Sequence, residues 1–192
     1  MQQNTQTLTE GILFTDLYQL TMAQVYFRMG IQDQKVAFEH FFRKCPDYGE
    51  HRAGYCINAG QDRLINWMRG VGFSPAEIDK LRSHKGKTGE PLFGEDFLEW
   101  LTRHGNFDGV SLRAVPEGRV IHPRTPVIVA TGPLAMCQIL ETALLNKVNF
   151  HILVATKASR MRQVCGRAPI IDFGMRRGHD SGANAAAAAA TI

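Results

Sequence analysis

Two stretches of this chain carry side chains suited to binding or transforming a small molecule. The first, Asp172-Phe173-Gly174-Met175-Arg176-Arg177-Gly178, sets two guanidinium groups between glycines just after the apolar run 169–173. A planar guanidinium grips phosphate or carboxylate oxygens through paired hydrogen bonds, and glycine lets the backbone approach an anion closely. Loops at strand ends are where α/β folds bind ligands, so this stretch reads as an anion site. The alternative is that Arg176 and Arg177 pair with acidic neighbours on a rim. The second stretch, Thr15-Asp16-Leu17-Tyr18-Gln19-Leu20-Thr21-Met22, joins a capping threonine to an aspartate and a tyrosine. Taken alone, the stretch reads as Asp16 partnering the helix dipole and Tyr18 as a core ring with its hydroxyl satisfied.

Other chemistry is excluded or weakly supported by spacing. The Asp-Phe-Gly triplet also occurs in protein kinases, but no glycine-rich loop, VAIK-like strand or HRD loop accompanies it. Cys45, Cys56, Cys137 and Cys165 form no CxxC pair and have no histidines at zinc-ligand spacing, so no metal site is expected and reduced thiols fit best. None of the seven histidines has a nucleophile or metal-ligand partner at a diagnostic spacing; His179-Asp180 reads as a surface turn. Glu141 and Lys157 read as an ion pair between adjacent helices.

The elements that must hold these residues follow from periodicity. Thr15 as N-cap and Gly30 just past the end bracket a helix in which Tyr18, Met22, Val25, Tyr26 and Met29 recur at helical spacing. Residues 35–43 alternate like a strand, with Val36, Phe38, His40 and Phe42 on one face. A strand is expected over 55–59 and a helix over 62–68. Ser74-Pro75-Ala76-Glu77 has the residues of a capping box, and a further helix covers 95–104, stopped by Gly105. Short antiparallel strands fill 110–131. Gly132-Pro133 opens a helix with Leu134, Gln138, Glu141 and Leu145 on one face, and a separate helix spans 153–165. Residues 169–173 read as a short buried strand leading into the arginine loop and an alanine-rich helix, the opening of a β/α unit.

The chain has 192 residues, 44% of them hydrophobic and 21% charged, and 22 basic against 18 acidic side chains leave a net charge of +4. These are globular proportions, and scattered basic residues with so small an excess argue against nucleic acid as a partner. The N-terminal MQQNTQTLTEGILF lacks a basic region and a long apolar run, and no apolar stretch reaches the roughly 20 residues of a membrane span. A cytoplasmic protein without a membrane segment is expected. The closing run ANAAAAAATI ends without cap or polar tail and reads as a helix cut short.

FTDLYQLTMAQVYF, AFEHFFRKCP, YCINAGQDRLINWM, VPEGRVIHPRTPVIVATGPLAMCQILETALLN, VATKASRM and DFGMRRGHDSGANAAAAAATI together resemble the N-terminal part of the nicotinate phosphoribosyltransferase family. The resemblance implies an α/β fold of the type II phosphoribosyltransferase kind. An N-terminal α/β domain with antiparallel strands would occupy 1–132, and the incomplete start of an irregular barrel 133–192. It implies conversion of nicotinate and phosphoribosyl pyrophosphate to nicotinate mononucleotide in NAD salvage, coupled to ATP hydrolysis and assisted by Mg²⁺. It further implies a homodimer with a shared site, in which Tyr18 of one subunit and Phe173 of the other sandwich the pyridine. Arg176 and Arg177 would hold the carboxylate or phosphates, and Asp16 would support the tyrosine end. The family's phosphohistidine lies downstream of the alanine-rich run, so no catalytic residue is assigned and the chain is expected to be an N-terminal fragment. Competing readings are a truncated, non-catalytic dimerisation partner and a nicotinamide or quinolinate phosphoribosyltransferase; the wording of TDLYQLTM and FGMRR favours nicotinate.

Overall fold

The computed structural model describes residues 10–49, 51–52 and 54–177. The expected His179-Asp180 turn and the alanine-rich helix lie outside the described residues. In chain order the elements are α1 (Leu17–Arg28), β1 (Lys35–His40), β2 (Asp47–Tyr48), β3 (His51–Arg52), β4 (Cys56–Ile57), α2 (Gln61–Gly70), α3 (Pro75–Arg82), α4 (Glu95–His104), β5 (Ser111–Ala114), β6 (Val120–Ile121), β7 (Ile128–Pro133), α5 (Leu134–Cys165) and a 3₁₀ turn (Met175–Arg177). The strands form a three-stranded sheet of order β1-β7-β5 and two-stranded β2-β3 and β4-β6 sheets. The mixture of helix and sheet is the α/β class expected.

The chain divides into two compact units, each drawn from three separate stretches: residues 1–38, 65–112 and 130–144 in the first, 39–64, 113–129 and 145–192 in the second. The first unit is organised around the amphipathic helix α4, whose Phe97, Leu98 and Leu101 are fully buried. Phe97 packs on Phe27 at a centroid distance of 5.7 Å and stacks on Trp100 at 6.0 Å, with Phe93 closing the cluster at 6.1 Å. Such aromatic pairs contribute beyond the area they bury. The capping box of α3 is complete: Glu77 N–H donates to the Ser74 hydroxyl, while Ser74 N–H donates to Glu77 Oε2 at 2.8 Å. The helix over 95–104 ends at Gly105 as expected.

In the second unit, β4 pairs antiparallel with β6, Cys56 opposite Ile121 and Ile57 opposite Val120. The buried Thr156 hydroxyl accepts from Ile57 N–H at 2.9 Å and donates to the Ile152 carbonyl at 2.6 Å, which joins this sheet to α5. Glu117 places a carboxylate oxygen on the first amides of α2, 2.6 Å from Gln61 N and 3.3 Å from Asp62 N, where the helix dipole favours negative charge. Gly60 just before it has φ +100°, and a Cβ there would lie 2.8 Å from that of His151, so glycine is required.

Several local expectations are corrected. The N-cap of α1 is Asp16, without a side-chain cap bond; the Thr15 hydroxyl instead donates to the Ile139 carbonyl at 3.0 Å. Gly30, with φ +70°, does sit just past the helix end. The two helices expected between 133 and 165 are one helix of 32 residues, because the joint at 149–152 contains neither proline nor glycine to stop it. Pro133 closes β7 rather than opening the helix. The strand expected over 55–59 shortens to β4. Residues 169–173 form no strand: Ile171 and Phe173 are exposed, and no described strand lies alongside to take up their backbone groups.

His40 and His151, both in the second unit, have pKa values lowered chiefly by burial. For His151 the Arg63 and Lys147 charges add to the lowering, while the Lys147 carbonyl and Glu117 oppose it. A depressed histidine pKa means the unfolded chain binds more protons than the folded one on acidification, so stability present above about pH 6.5 is lost as pH falls below it. The melting temperature is expected to drop as the pH is lowered below about 6.5, with His151→Gln flattening part of that slope. A pH-independent melting temperature across this window would contradict it.

Candidate functional site

Tyr18 stands in the first turn of α1 with its side chain 50% exposed, so it is not the core ring that helical spacing alone would allow. Its neighbour Gln19 is fully buried, and Gln19 Nε2 donates to the Tyr18 hydroxyl oxygen at 2.7 Å and to Glu141 Oε2 at 3.1 Å. Gln138, one turn before Glu141 on α5, donates from Nε2 to Gln19 Oε1 and to Glu141 Oε2, the latter at 3.3 Å. Its own Oε1 accepts from the Tyr26 hydroxyl at 3.2 Å. Each amide hydrogen in this circuit has an acceptor, and a buried polar network satisfied in this way is rigid. The Tyr18 hydroxyl accepts within the circuit and keeps its proton for a partner outside it.

Asp16 is placed by the same two helices. Its backbone N–H donates to the Thr142 hydroxyl at 3.2 Å, and its carboxylate accepts from that hydroxyl at 2.9 Å. The Tyr18 phenol is pushed above its usual pKa by desolvation first, then by the negative charges of Glu141 and Asp16. Tyr18 is therefore a neutral hydrogen-bond donor with an exposed ring, anchored at its hydroxyl end. Glu141, occupied by two glutamines, is not paired with Lys157, which is exposed and lies four turns further along the same helix.

The arginine loop belongs to the second unit. Asp172 Oδ1 accepts from Gly174 N–H at 2.7 Å, and Arg177 N–H donates to the Gly174 carbonyl at 2.7 Å, closing the 3₁₀ turn. A Cβ at position 174 would lie 2.8 Å from Asp172 Oδ1, the end of an exposed side chain that can move aside. Arg176 Nη1 donates to the Phe173 carbonyl at 3.3 Å. Phe173 is 75% exposed, and Arg176 and Arg177 are exposed with no ion pair among the described residues. The rim-pairing alternative for the two arginines thus finds no acidic partner in the described residues. The loop presents together an aromatic ring and two guanidinium groups without an ion pair among the described residues, the equipment for a flat, anionic ligand.

Of the sequence candidates, Asp16 and Tyr18 come together in one polar cluster, and Phe173, Arg176 and Arg177 come together in another unit of the chain. Gln19 and Gln138, which hold Tyr18, were not singled out as site residues. Their signal was a glutamine amid the apolar run of α1 and another one turn from Glu141 on a face otherwise made of leucines.

A family model described as the nicotinate phosphoribosyltransferase (NAPRTase) N-terminal domain matches residues 13–149. That span contains Asp16, Tyr18, Gln19, Gln138 and Glu141. Nicotinate phosphoribosyltransferase of Caenorhabditis elegans is 39% identical over 166 residues, covering 86% of this chain and 28% of that protein. The enzyme of that name from Bacillus subtilis is 37% identical over 168 residues, 88% of this chain and 32% of its own. The crystal structure of human nicotinic acid phosphoribosyltransferase superposes with a TM-score of 0.79 at 33% identity, over 92% of this chain and 34% of that one. Nicotinate-nucleotide pyrophosphorylase from Pyrococcus furiosus, at 19% identity and a TM-score of 0.66, shares the fold. The chain spans about a third of the length of the relatives it matches. With the family model spanning most of its length and its tyrosine cluster inside the matched region, this chain belongs to the nicotinate phosphoribosyltransferase family, as its N-terminal domain.

Proposed function

We propose that this chain supplies the pyridine-binding part of a nicotinate phosphoribosyltransferase, making nicotinate mononucleotide and pyrophosphate from nicotinate and phosphoribosyl pyrophosphate in NAD salvage. The observation that carries this is the held, half-exposed Tyr18: a network of buried amides fixes its hydroxyl and leaves its ring face for a flat heteroaromatic. Phe173 supplies the second ring face. Arg176, with Arg177 beside it, holds the ligand carboxylate or the phosphates, and Asp16 with Thr142 fixes the start of the helix that carries Tyr18. Displacement at the ribose C1′ builds positive charge on the sugar and negative charge on pyrophosphate, so alignment and guanidinium clamps lower the barrier.

The shared site of a homodimer is part of the proposal. Leu17, Tyr18, Met22 and Val25 on α1 and Met29 at its C-cap are all exposed, and positions 18, 22, 25 and 29 form one helical stripe. Exposed apolar stripes of this kind mark interaction surfaces, and a second subunit covering this one brings Tyr18 to its partner's Phe173. ATP coupling, Mg²⁺ and a cytoplasmic setting belong to the same reading. Among the described residues no group of three or more His, Cys, Asp or Glu side chains could hold a metal ion. No described helix is long and apolar enough to cross a membrane.

The test is an assay of nicotinate mononucleotide formation, with and without ATP, on the polypeptide that carries this chain, with nicotinamide and quinolinate as competing substrates. ATP-stimulated turnover of nicotinate alone is the expected result. Turnover of either competitor instead, or failure of the polypeptide to bind both nicotinate and phosphoribosyl pyrophosphate, would overturn the reading.

A further inference from the structure

None of the site candidates lines a cavity of about 330 Å³ that lies within the first unit. One wall is the face of α2 that carries Ile65, Met68 and Arg69, set three and four residues apart as neighbours on a helix surface are. The other is the segment 107–112, which follows the Gly105 stop of α4, enters β5 and supplies Phe107, Asp108 and Leu112. The two walls are tied together. Trp67 packs on Phe107 at a centroid distance of 5.5 Å, and Gly72 pairs with Asn106 in an antiparallel bridge. Asp108 N–H donates to Asn106 Oδ1 at 3.0 Å and Val110 N–H to the Phe107 carbonyl at 3.0 Å, which closes the turn. β7 lies against the same turn: a Cβ on Gly132 would stand 2.7 Å from the Gly109 carbonyl oxygen. The cavity is thus held open by backbone and ring contacts and is formed before any ligand arrives.

Its lining is apolar apart from one charge of each sign. Met68 and Phe107 are buried, whereas Arg69 and Asp108 are exposed. Among the described residues neither charged side chain makes an ion pair, with the other or with a third group. A ligand of single charge would meet one attraction and one repulsion there, and only a ligand carrying both charges complements the pair. A sugar or a nucleotide would bury hydroxyls against Met68 and Phe107 without hydrogen bonds, which is costly. Size points the same way. A cavity of about 150 Å³ already takes benzene, so this one has room for a benzyl group and the few atoms that bear its charges.

We propose that this cavity binds a free apolar α-amino acid of the size of phenylalanine. The Arg69 guanidinium takes the α-carboxylate through both oxygens, and the α-ammonium donates to the Asp108 carboxylate. The side chain lies on Met68, Phe107 and Leu112. The site shares no residue with the proposed pyridine site, so either reading can fail without the other.

The experiment is calorimetric titration of L-phenylalanine into the polypeptide that carries this chain, beside N-acetyl-L-phenylalanine and L-phenylalaninamide, each of which lacks one of the two charges. Saturable binding of the amino acid is expected, with either analogue weaker by about tenfold or more, the scale of one hydrogen bond to a charged group. Arg69→Ala is expected to weaken phenylalanine by the same factor and to erase its advantage over the amide. Asp108→Asn is expected to erase its advantage over the N-acetyl form. Both positions are exposed, so neither change should move the melting temperature appreciably. Absence of saturable binding, equal affinity for the three compounds, or unaltered affinity in both variants would overturn the inference. So would Leu112→Trp changing the oligomeric state of a protein that binds no phenylalanine, which would give the cavity to a neighbouring subunit.

Discussion

Arg176→Ala in the enzyme is expected to lower kcat/KM for nicotinate mononucleotide formation by about thirtyfold or more, the scale for removing one member of a charged pair that becomes desolvated when ligand binds. The stability of the protein should hardly change. Arg176 is exposed, bonds only its own loop through the Phe173 carbonyl, and has no ion pair among the described residues, and substitutions in such places usually shift stability by less than about 0.5 kcal/mol. Activity and melting temperature therefore separate a ligand-binding arginine from a structural one. Kinetics equal to those of the unmodified enzyme would remove Arg176 from the site. Arg177→Ala is the companion measurement, since the 3₁₀ turn sends the two side chains in different directions and the ligand need not meet both.

Tyr18→Ala is expected to weaken nicotinate binding by about 1–3 kcal/mol, on the scale of base stacking against an aromatic side chain, while Tyr18→Phe keeps most of the affinity. The hydroxyl is a different matter. It accepts the hydrogen bond of buried Gln19, and either substitution leaves that amide hydrogen unpaired at a cost of about 1–3 kcal/mol in stability. Phenylalanine should thus lower the melting temperature without loosening the ligand, and alanine should do both. Calorimetric titration with nicotinate, beside thermal melts, reads the two effects independently; an alanine variant with unaltered affinity would show that the ring is not part of the site. Mixing Tyr18→Ala subunits with Arg176→Ala subunits tests the shared site, because a mixed dimer regains one intact copy. Persistent inactivity, with mixed dimers shown to form, would place both residues in one subunit's site or exclude Tyr18.

Local signals were legible where neighbouring residues in the chain decide the outcome. The α3 capping box needs only Ser74, Pro75 and Glu77, and the helix over 95–104 needs only its apolar stripe and Gly105, so both were found at their observed positions. Tyr18 and Asp16 were visible as candidates because a tyrosine and an aspartate open an amphipathic helix. The family itself was legible from long motifs in order. Misreadings came where distant residues decide. Thr15 has the side chain of an N-cap, but the Ile139 carbonyl, 124 positions away, takes its hydroxyl. Glu141 and Lys157 have the charges of a pair, but two glutamines claim the carboxylate.

By itself, then, the sequence determined the helices with their own start and stop residues, the alternating strand from Lys35 (expected to residue 43, ending at His40 in the fold), the α/β class, and membership of a family through its motifs. Each of these rests on periodicity and capping within a few residues, or on the order of whole motifs. Only the tertiary structure decided that two units are assembled from interleaved stretches, that Gln19 and Gln138 bind the Tyr18 hydroxyl to Glu141, and that residues 169–173 stay irregular. The physical reason is clearest for the buried amides. Each must find an acceptor in space, and Gln19 and Gln138 find one more than a hundred residues off in the chain, where no local pattern records it.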